Sequence, residues 1–252
     1  MLYGLYLSAQ GADVQSLRQD VLANNIANSS TTGFKRDQAI IQGHPSVDFQ
    51  KSFEAADPTQ RARQTGGVSL AQITTDFRTA SMLNSGRQYD VALKGSGFLQ
   101  VRDGDQEFLT RNGRMKLNDG TLVMEDTGLP ILSDAGANIE IPINVTRMEI
   151  NKTGQMSGYD SAGNLVFNNQ LAVVNTDTSK LEKVGLSLFR PHAELDRDFG
   201  TEVRQGAVEA SGCNPIKEMT SMIEAGRSFE ANITMIRMQD ESLGRLLQSV
   251  GG

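Results

Sequence analysis

The sequence contains one cysteine, Cys213, no tryptophan and only two histidines in 252 residues. A single cysteine excludes both an internal disulfide and a metal site built from several cysteines. His44 and His192 lie in segments of unrelated character, so we interpret both as surface residues rather than as a catalytic pair. We therefore expect no metal site and no cofactor.

Long apolar runs are also missing. No segment approaches the eighteen apolar residues that a membrane-spanning helix requires. The first fifteen residues, MLYGLYLSAQGADVQ, carry no basic segment ahead of a short apolar start, whereas a secretory signal peptide would have one. If the protein leaves the cytoplasm, we expect it to use a route without a cleavable signal peptide.

Acidic residues outnumber basic ones. Lysine and arginine number 24 against 30 acidic residues, which gives a net charge of -6 and a pI near 5.0. A nucleic-acid-binding protein needs a basic face to displace counterions from phosphates. The composition therefore argues against a nucleic-acid partner, and the length suits one or two domains.

The sequence lacks the motifs of common enzyme classes. No G-x-S-x-G nucleophile turn occurs. The glycine-rich KGSGF stretch at 94–98 lacks the G-K-S/T ending of a phosphate-binding loop. The acidic run from Asp103 is spaced like a calcium loop, but Arg114 stands where such a loop needs a bidentate glutamate. No carboxylate pair suggests acid–base chemistry, so we predict a non-enzyme without a small-molecule substrate.

Both ends of the chain show helical periodicity. Near the N-terminus, Leu7, Val14 and Val21 lie seven residues apart, with Leu17 between them. From Pro215 onward, two sets of positions repeat every seven residues, as in a coiled-coil seam. The first set is Met222, Phe229, Ile236, Leu243 and Val250, and the second is Met219, Gly226, Ile233, Asp240 and Leu247.

The centre of the chain reads as short alternating strands. They are separated by Asp103-Gly104, Asn112-Gly113 and Asp119-Gly120, dipeptides that suit tight hairpins. The pattern is typical of an antiparallel meander.

These patterns together predict an α+β fold. The N- and C-terminal helices pair as a coiled-coil-like stem, and a mostly antiparallel β domain lies between them in sequence. The predicted segments are an N-terminal helix and signature (1–36), an extended or irregular connector (37–87), the β domain (88–199), a second connector (200–214) and the C-terminal helix (215–252).

The two helices cannot both bury their apolar stripes by pairing. Isolated helices gain most of their stability from packing such a stripe. Five heptads of seam on the C-terminal helix exceed the three on the N-terminal helix. We expect the surplus apolar surface to face another molecule.

The stretch LANNIANSSTTGFKR at 22–36 crowds polar residues behind an apolar run. Asn24, Asn25 and Asn28 lie one to four residues apart at the end of the predicted helix, and Gly33 can supply a left-handed exit. Two interpretations remain open from the residues alone. The amides either stop the helix or contact a neighbouring chain.

The same stretch resembles the N-terminal signature of the bacterial flagellar basal-body rod and hook family, ANN-x-AN-x-x-T-x-GFK(R). The segment MTSMIEAGRSFEANITMIRMQDESLGRLLQSV resembles the closing helix of that family, and YDVALKGSGFLQV resembles one of its central segments. Two departures are Met115, where an aromatic residue is usual, and Cys213-Asn214, where the family tends to show S-N-V.

The resemblance implies a structural subunit. Members of the family leave the cytoplasm through the flagellar type III export apparatus and polymerise into the periplasm-spanning rod of the basal body, which transmits motor torque to the hook. The implied partners are further copies, other rod subunits and the export apparatus. The residues expected to contact neighbouring subunits are Leu7, Val14, Leu17, Val21, Asn24, Asn25, Asn28, Thr31, Gly33, Phe34, Lys35, Met219, Met222, Ile223, Arg227, Phe229, Asn232, Ile233, Ile236, Leu243, Leu247 and Val250.

Within the family, the segment after Lys35 favours a proximal rod protein of the class adjoining the distal rod. Distal rod proteins generally follow FKR with F-x-D-L-x-Y-Q, whereas this chain continues DQAIIQGHPSV. The distal rod protein is the alternative. A wall-degrading enzyme and a β-type adhesin with a helical stalk are disfavoured.

Overall fold

The computed structural model describes residues 2–44, 66–198 and 200–250. The chain divides into two compact units. We term them the helical unit (1–27, 37–75 and 214–252) and the β unit (28–36 and 76–213). The side chains of Leu2, Tyr3, His44, Leu247, Ser249 and Val250 lie outside the description.

The helical unit consists of two long helices and a β hairpin. Helix α1 spans Leu2–Ala27 and helix α2 spans Pro215–Val250. The Asn214 side chain caps α2 by accepting hydrogen bonds from the backbone amides of Ile216 and Lys217. Proline at the first helical position fits the same start, because its missing N–H would have no intrahelical partner there.

Helices α1 and α2 pack against each other in antiparallel orientation. The Gln239 amide lies over Gly4, and the Asn232 amide lies over Gly11. Residues later in α1 therefore contact residues earlier in α2, as antiparallel packing requires. The fold-class prediction of two terminal helices and a central, mostly antiparallel β domain is confirmed.

The line of α2 that faces α1 differs from the predicted second line of the seam. Met219 and Asp240 are exposed. The line that packs inward lies one residue earlier and consists of Glu218, Ala225, Asn232 and Gln239. The physical reason is that α1 presents glycines on this side, so long amides of α2 lie across its backbone.

The predicted apolar stripe of α1 lies beside the hairpin. Leu7 and Gln10 reach the position that a side chain at Gly67, at the start of the second hairpin strand, would occupy. Val14 is buried, whereas Leu17 is exposed. Helix α1 thus uses adjacent faces for two neighbours, a glycine face toward α2 and an apolar face that reaches the hairpin.

The hairpin occupies most of the described part of the segment predicted as an extended or irregular connector. Strands β1 (Asp37–His44) and β2 (Gly67–Thr75) pair antiparallel, with a register shift between Ile40 and Ile41. Local pattern missed this pairing because the two strands lie more than twenty residues apart and the sequence gives no tight-turn signal between them. Residues 45–65 of the predicted connector lie outside the described residues.

The β unit is built from short strands. Its first six are β3 Met82–Asn84, β4 Val91–Lys94, β5 Phe98–Asp103, β6 Gln106–Thr110, β7 Met115–Asn118 and β8 Thr121–Met124. The next six are β9 Arg147–Ile150, β10 Gln155–Tyr159, β11 Leu165–Gln170, β12 Val173–Asn175, β13 Leu181–Lys183 and β14 Leu188–Pro191. The last three are β15 Asp196–Arg197, β16 Glu202–Gln205 and β17 Ala207–Glu209.

The strand pairs of the β unit are antiparallel. The largest sheet has the order β13-β14-β6-β5-β12-β15, and a second has the order β11-β10-β9. Three further pairs are β16-β4, β17-β3 and β7-β8. Strands β16 and β17 lie in a segment predicted as a connector, and each pairs with a strand more than a hundred residues earlier. Such long-range pairing leaves no local signal.

Two of the three predicted hairpin turns are confirmed. Gly104 and the Asp119-Gly120 pair adopt positive φ in the turns of β5–β6 and β7–β8. The third prediction is wrong, because β6 and β7 do not pair with each other. Gly113 instead lies against the backbone carbonyl of Val91, where any side chain would collide.

The β unit has an apolar core. The larger cluster takes its side chains from strands β4 to β10, β12 and β16 and from intervening loops, and it includes Leu99, Met115, Ile131 and Met156, all 0% exposed. A smaller cluster contains Phe98 and Phe189. Met115, at a position where the family usually has an aromatic residue, is therefore a fully buried core residue.

Candidate functional site: the signature cluster and the exposed face of α2

The signature segment is divided between the two units: residues 22–27 end helix α1, and residues 28–36 belong to the β unit. Gly33 adopts a φ of 66°, and its N–H donates to the carbonyl of Glu209 at 2.9 Å. The carbonyl of Phe34 accepts from the N–H of Gly212 at 2.8 Å. The signature therefore runs beside strand β17, which is far away in sequence.

Lys35 forms the central ion pair of this region. Its Nζ lies 2.7 Å from Oε1 of Glu209 and donates to the carbonyl of Arg78 at 2.8 Å. Both side chains of the ion pair are fully buried. The same Glu209 oxygen accepts from the backbone N–H of Ala80 at 2.8 Å. A fully buried charge pair is tolerated only with such extra hydrogen bonds.

Arg111 adds a second buried cation. Its Nη1 lies 3.6 Å from Oε2 of Glu209, its Nη2 donates to the carbonyl of Gly95, and its guanidinium stacks 4.7 Å from the Phe98 ring centroid. Burial lowers the pKa of both Lys35 and Arg111, and the Glu209 carboxylate opposes that shift. One carboxylate therefore pairs with both buried cations, and Asp198 and Asp76 add weaker attraction.

Neighbouring signature residues add further internal contacts. The Thr32 hydroxyl donates to Oδ1 of Asn112 at 2.6 Å. Lys183 Nζ lies 4.0 Å from the Phe34 ring centroid and donates to the carbonyl of Lys35. The signature residues from Thr32 to Lys35 are buried and bonded inside the chain, so within one subunit they hold the parts of the β unit together.

Gly33 offers a test of this role. A methyl group there would lie 2.4 Å from backbone atoms of Arg111 and Asn112. We expect Gly33→Ala to lower the free energy of unfolding of the β unit by about 3 kcal/mol, from left-handed strain plus the collision. Gly104→Ala is the matched control, because Gly104 has a φ of 58° and open space around it. Urea unfolding followed by circular dichroism measures both, and equal losses would contradict the steric argument.

Asn25 and Asn28 also have partners inside the chain. Asn25 is fully buried, and its amide donates to the carbonyl of Asp37 and to Oε2 of Glu218, at 2.8 and 3.3 Å. The carbonyl of Asn28 accepts from the hydroxyl of Ser211 and from the N–H of Thr31. These contacts favour the helix-stop interpretation for Asn25 and Asn28. Asn24 is exposed.

Helix α2 carries an exposed apolar patch near its start. Ile216, Met219 and Ile223 are 77%, 50% and 59% exposed. Spacings of three, four and seven residues place them on one helix face. This face is opposite to the line of α2 that packs on α1, so pairing within the chain does not cover it. We term these three residues the outer patch.

The remaining residues predicted to contact subunits fall into four groups. Leu17 and Arg227 are exposed, and Val14 is buried. The side chains of Leu247 and Val250 lie outside the described residues. The half-buried group is Leu7, Val21, Thr31, Met222, Phe229, Asn232, Ile233, Ile236 and Leu243.

The helical unit contains buried polar atoms that lack a hydrogen-bond partner. Within the described helical unit, the side-chain carbonyl oxygens of Gln10, Gln15 and Gln239 are buried and have no hydrogen-bond partner. Each such group costs about 1–3 kcal/mol. The packing of the helical unit is therefore weaker than apolar side chains at these positions would make it.

The sequence analysis missed Glu209, Arg111 and Glu218. Glu209 is a lone acid between apolar and small residues in GAVEASG, and Arg111 follows an apolar strand in FLTRNG. An acid or base inside a short buried strand signals a paired charge. The partner could not be found locally, because Lys35 and Glu209 are 174 residues apart.

The described ranges 2–44, 66–198 and 200–250 contain no group of three metal-binding side chains. None of the helices in those ranges is long and apolar enough to cross a membrane.

Comparison with known proteins agrees with the three motif regions. Residues 5–35 match the family described as "Flagella basal body rod protein". Residues 92–158 match "Flagellar hook protein FlgE/F/G D1 domain", and residues 204–249 match "Flagellar basal body rod FlgEFG protein C-terminal".

Similar proteins cover nearly the whole chain. The flagellar basal-body rod protein FlgG of Bacillus subtilis is 32% identical, over 98% of this chain and 98% of its own length. FlgG of Buchnera aphidicola from Acyrthosiphon pisum is 31% identical over 98% of this chain and 100% of its own length. The rod protein FlgF of Caulobacter vibrioides is 30% identical over 86% and 85%. At this identity and coverage, the chain belongs to the flagellar basal-body rod protein family.

Proposed function

We propose that this rod-family protein polymerises into a helical shaft that crosses the periplasm and transmits motor torque to the hook. The observation that carries the proposal is the outer patch of Ile216, Met219 and Ile223, which stays exposed although the opposite side of α2 is packed. A structural subunit of this kind needs neighbours to cover that surface, and other rod subunits supply them.

The contact would be heterologous, since the patch meets a different surface of the neighbouring subunit. Repeating such a contact builds an open helix rather than a closed ring. Full burial of a large apolar side chain contributes about 1.5–3 kcal/mol, so three partly exposed ones supply several kcal/mol for each contact. Exposed Leu17, Asn24 and Arg227 are further candidates for this contact.

Export through the flagellar type III apparatus, without a cleavable signal peptide, is part of the proposal. An exported subunit must pass a narrow channel before it folds in its final place. The unsatisfied side-chain oxygens of Gln10, Gln15 and Gln239 support this, because a weakly packed helical unit opens at low cost. We further infer that the chain is not catalytic and binds neither nucleic acid nor a small-molecule substrate, consistent with its net charge of -6.

Within the rod, we favour a proximal member that adjoins the distal rod, and the distal rod protein is the alternative. The segment after Lys35 supports the proximal choice, because it departs from the pattern typical of distal proteins and forms strand β1. The similar proteins carry both the FlgG and the FlgF names and do not separate the two.

Isolated basal bodies test the proposal. In cells that express a tagged copy in place of the native one, we expect the tag to co-purify with hook-basal bodies and to appear in the rod density by electron microscopy. Density next to the distal rod would support the proximal choice. A tag found only on the cell surface or only in the soluble fraction would contradict the rod assignment.

A further inference from the structure

The β unit contains a groove that is not part of the outer patch. It measures about 500 Å³ and lies where β16, β4 and the end of β9 meet. Its apolar lining comes from Met82, Ile150 and Val203. Val203 and Ile150 also belong to the core of the β unit, so the floor of the groove is rigidly held.

The rim of this groove is basic. Lys94, Lys152 and Arg204 line it together with one acid, Glu202, which gives two net positive charges. Glu202 lies 2.9 Å from Lys152 and 3.7 Å from Lys94, so one carboxylate serves both lysines. In the described part of the chain, the Arg204 side chain has no partner. A basic groove on a protein of net charge -6 suits an acidic ligand.

The same unit carries an edge with two exposed acids that fit such a groove, and Arg197 on this edge is already paired with Asp134. Strand β15 is the outermost strand of the six-stranded sheet. Asp196 lies on this strand and Glu194 lies just before it, and both side chains are exposed. Neither carboxylate has an ion-pair partner among the described residues. An edge strand can also offer free backbone groups to a neighbouring chain.

We propose that the basic groove of one copy receives the β15 edge of a second copy, with Glu194 and Asp196 paired to the groove cations. The partner is a second copy because each chain carries both complementary surfaces. The proposal rests on the proposed rod function, where copies stand side by side. Because the two surfaces differ, the contact is heterologous and continues from copy to copy. It adds an electrostatic contact between β units to the apolar contact of α2.

Charge reversal tests the pairing in the full-length protein. We expect Arg204→Glu and Asp196→Arg each to weaken self-association about tenfold, measured by sedimentation velocity at low salt, because like charges then face each other. The double variant Arg204→Glu with Asp196→Arg should associate like the wild type, since the exchanged charges attract again. An equimolar mixture of the two single variants should form mixed dimers.

Two matched controls and a cross-link complete the test. Lys116→Glu and Asp105→Arg change exposed charges of the β unit outside both surfaces and should leave association unchanged. Carbodiimide coupling of a mixture of light and heavy isotope-labelled protein should join Glu194 or Asp196 of one copy to Lys94 or Lys152 of another.

If the single variants associate normally, or if the double variant does not recover, the proposal is wrong. Normal co-purification of those variants with basal bodies would still leave the rod function intact.

Discussion

Replacing Glu209 by glutamine should lower the free energy of unfolding of the β unit by about 3–5 kcal/mol, because the change removes the one carboxylate that pairs with both buried cations. Glutamine has nearly the same shape as glutamate and keeps one hydrogen-bond acceptor oxygen. The loss of stability therefore measures the missing charge. Lys35 and Arg111 are 0% and 2% exposed, and water cannot replace the carboxylate without opening the core. Urea unfolding by circular dichroism, with hydrogen exchange at the amides of β17, measures the loss.

The neighbouring charges predict an asymmetry that tests the same argument. Lys35→Met should cost less, about 1–3 kcal/mol, because Glu209 keeps Arg111 as a partner 3.6 Å away. Glu140→Gln is a control, since Glu140 is an exposed glutamate of the same unit and should change stability by less than about 0.5 kcal/mol. If Glu209→Gln and Lys35→Met cost the same, the shared-carboxylate account of this cluster fails.

Replacing Ile223 by aspartate should abolish incorporation into basal bodies while the purified protein stays folded. The side chain is 59% exposed, so its loss changes the free energy of unfolding by no more than about 0.5 kcal/mol. A buried charge at the proposed subunit contact costs several kcal/mol and prevents assembly. Motility on soft agar and recovery of the protein with isolated hook-basal bodies are the measurements.

Ser228→Asp provides the matched control for Ile223→Asp. Ser228 is exposed on the same helix but lies away from the face of the outer patch. Ser228→Asp introduces the same charge as Ile223→Asp but outside the outer patch. We therefore expect motility to be retained. Motile cells carrying Ile223→Asp, with normal amounts of the variant in basal bodies, would show that the outer patch is not a subunit contact.

Local sequence pattern reveals those elements whose stability depends on nearby residues. Periodicity located both helices, and Asp119-Gly120 located a hairpin, because each depends on neighbours within a few residues. Strands β1 to β3, β16 and β17 lie in segments predicted as connectors, because their stability comes from partners far away in the chain. Asn112-Gly113 has the composition of a turn but serves a close approach to Val91.

The signature illustrates the same limit for the candidate site. Its motif indicated the family, yet it gave no hint that Lys35 pairs with Glu209. The apolar surplus on the C-terminal helix was expected, and Ile223 and Met219 are exposed. Only the second line of the predicted seam differs by one residue, because the glycines of α1 admit the side chains of Asn232 and Gln239.

The sequence by itself determined the α+β class, the two terminal helices and the family, because helical periodicity and motif order are properties of consecutive residues. The tertiary structure decided which charges are buried together, which face of α2 is covered and which is left open. Those outcomes depend on contacts between residues distant in the chain, whose free energies arise only when packing removes both partners from water.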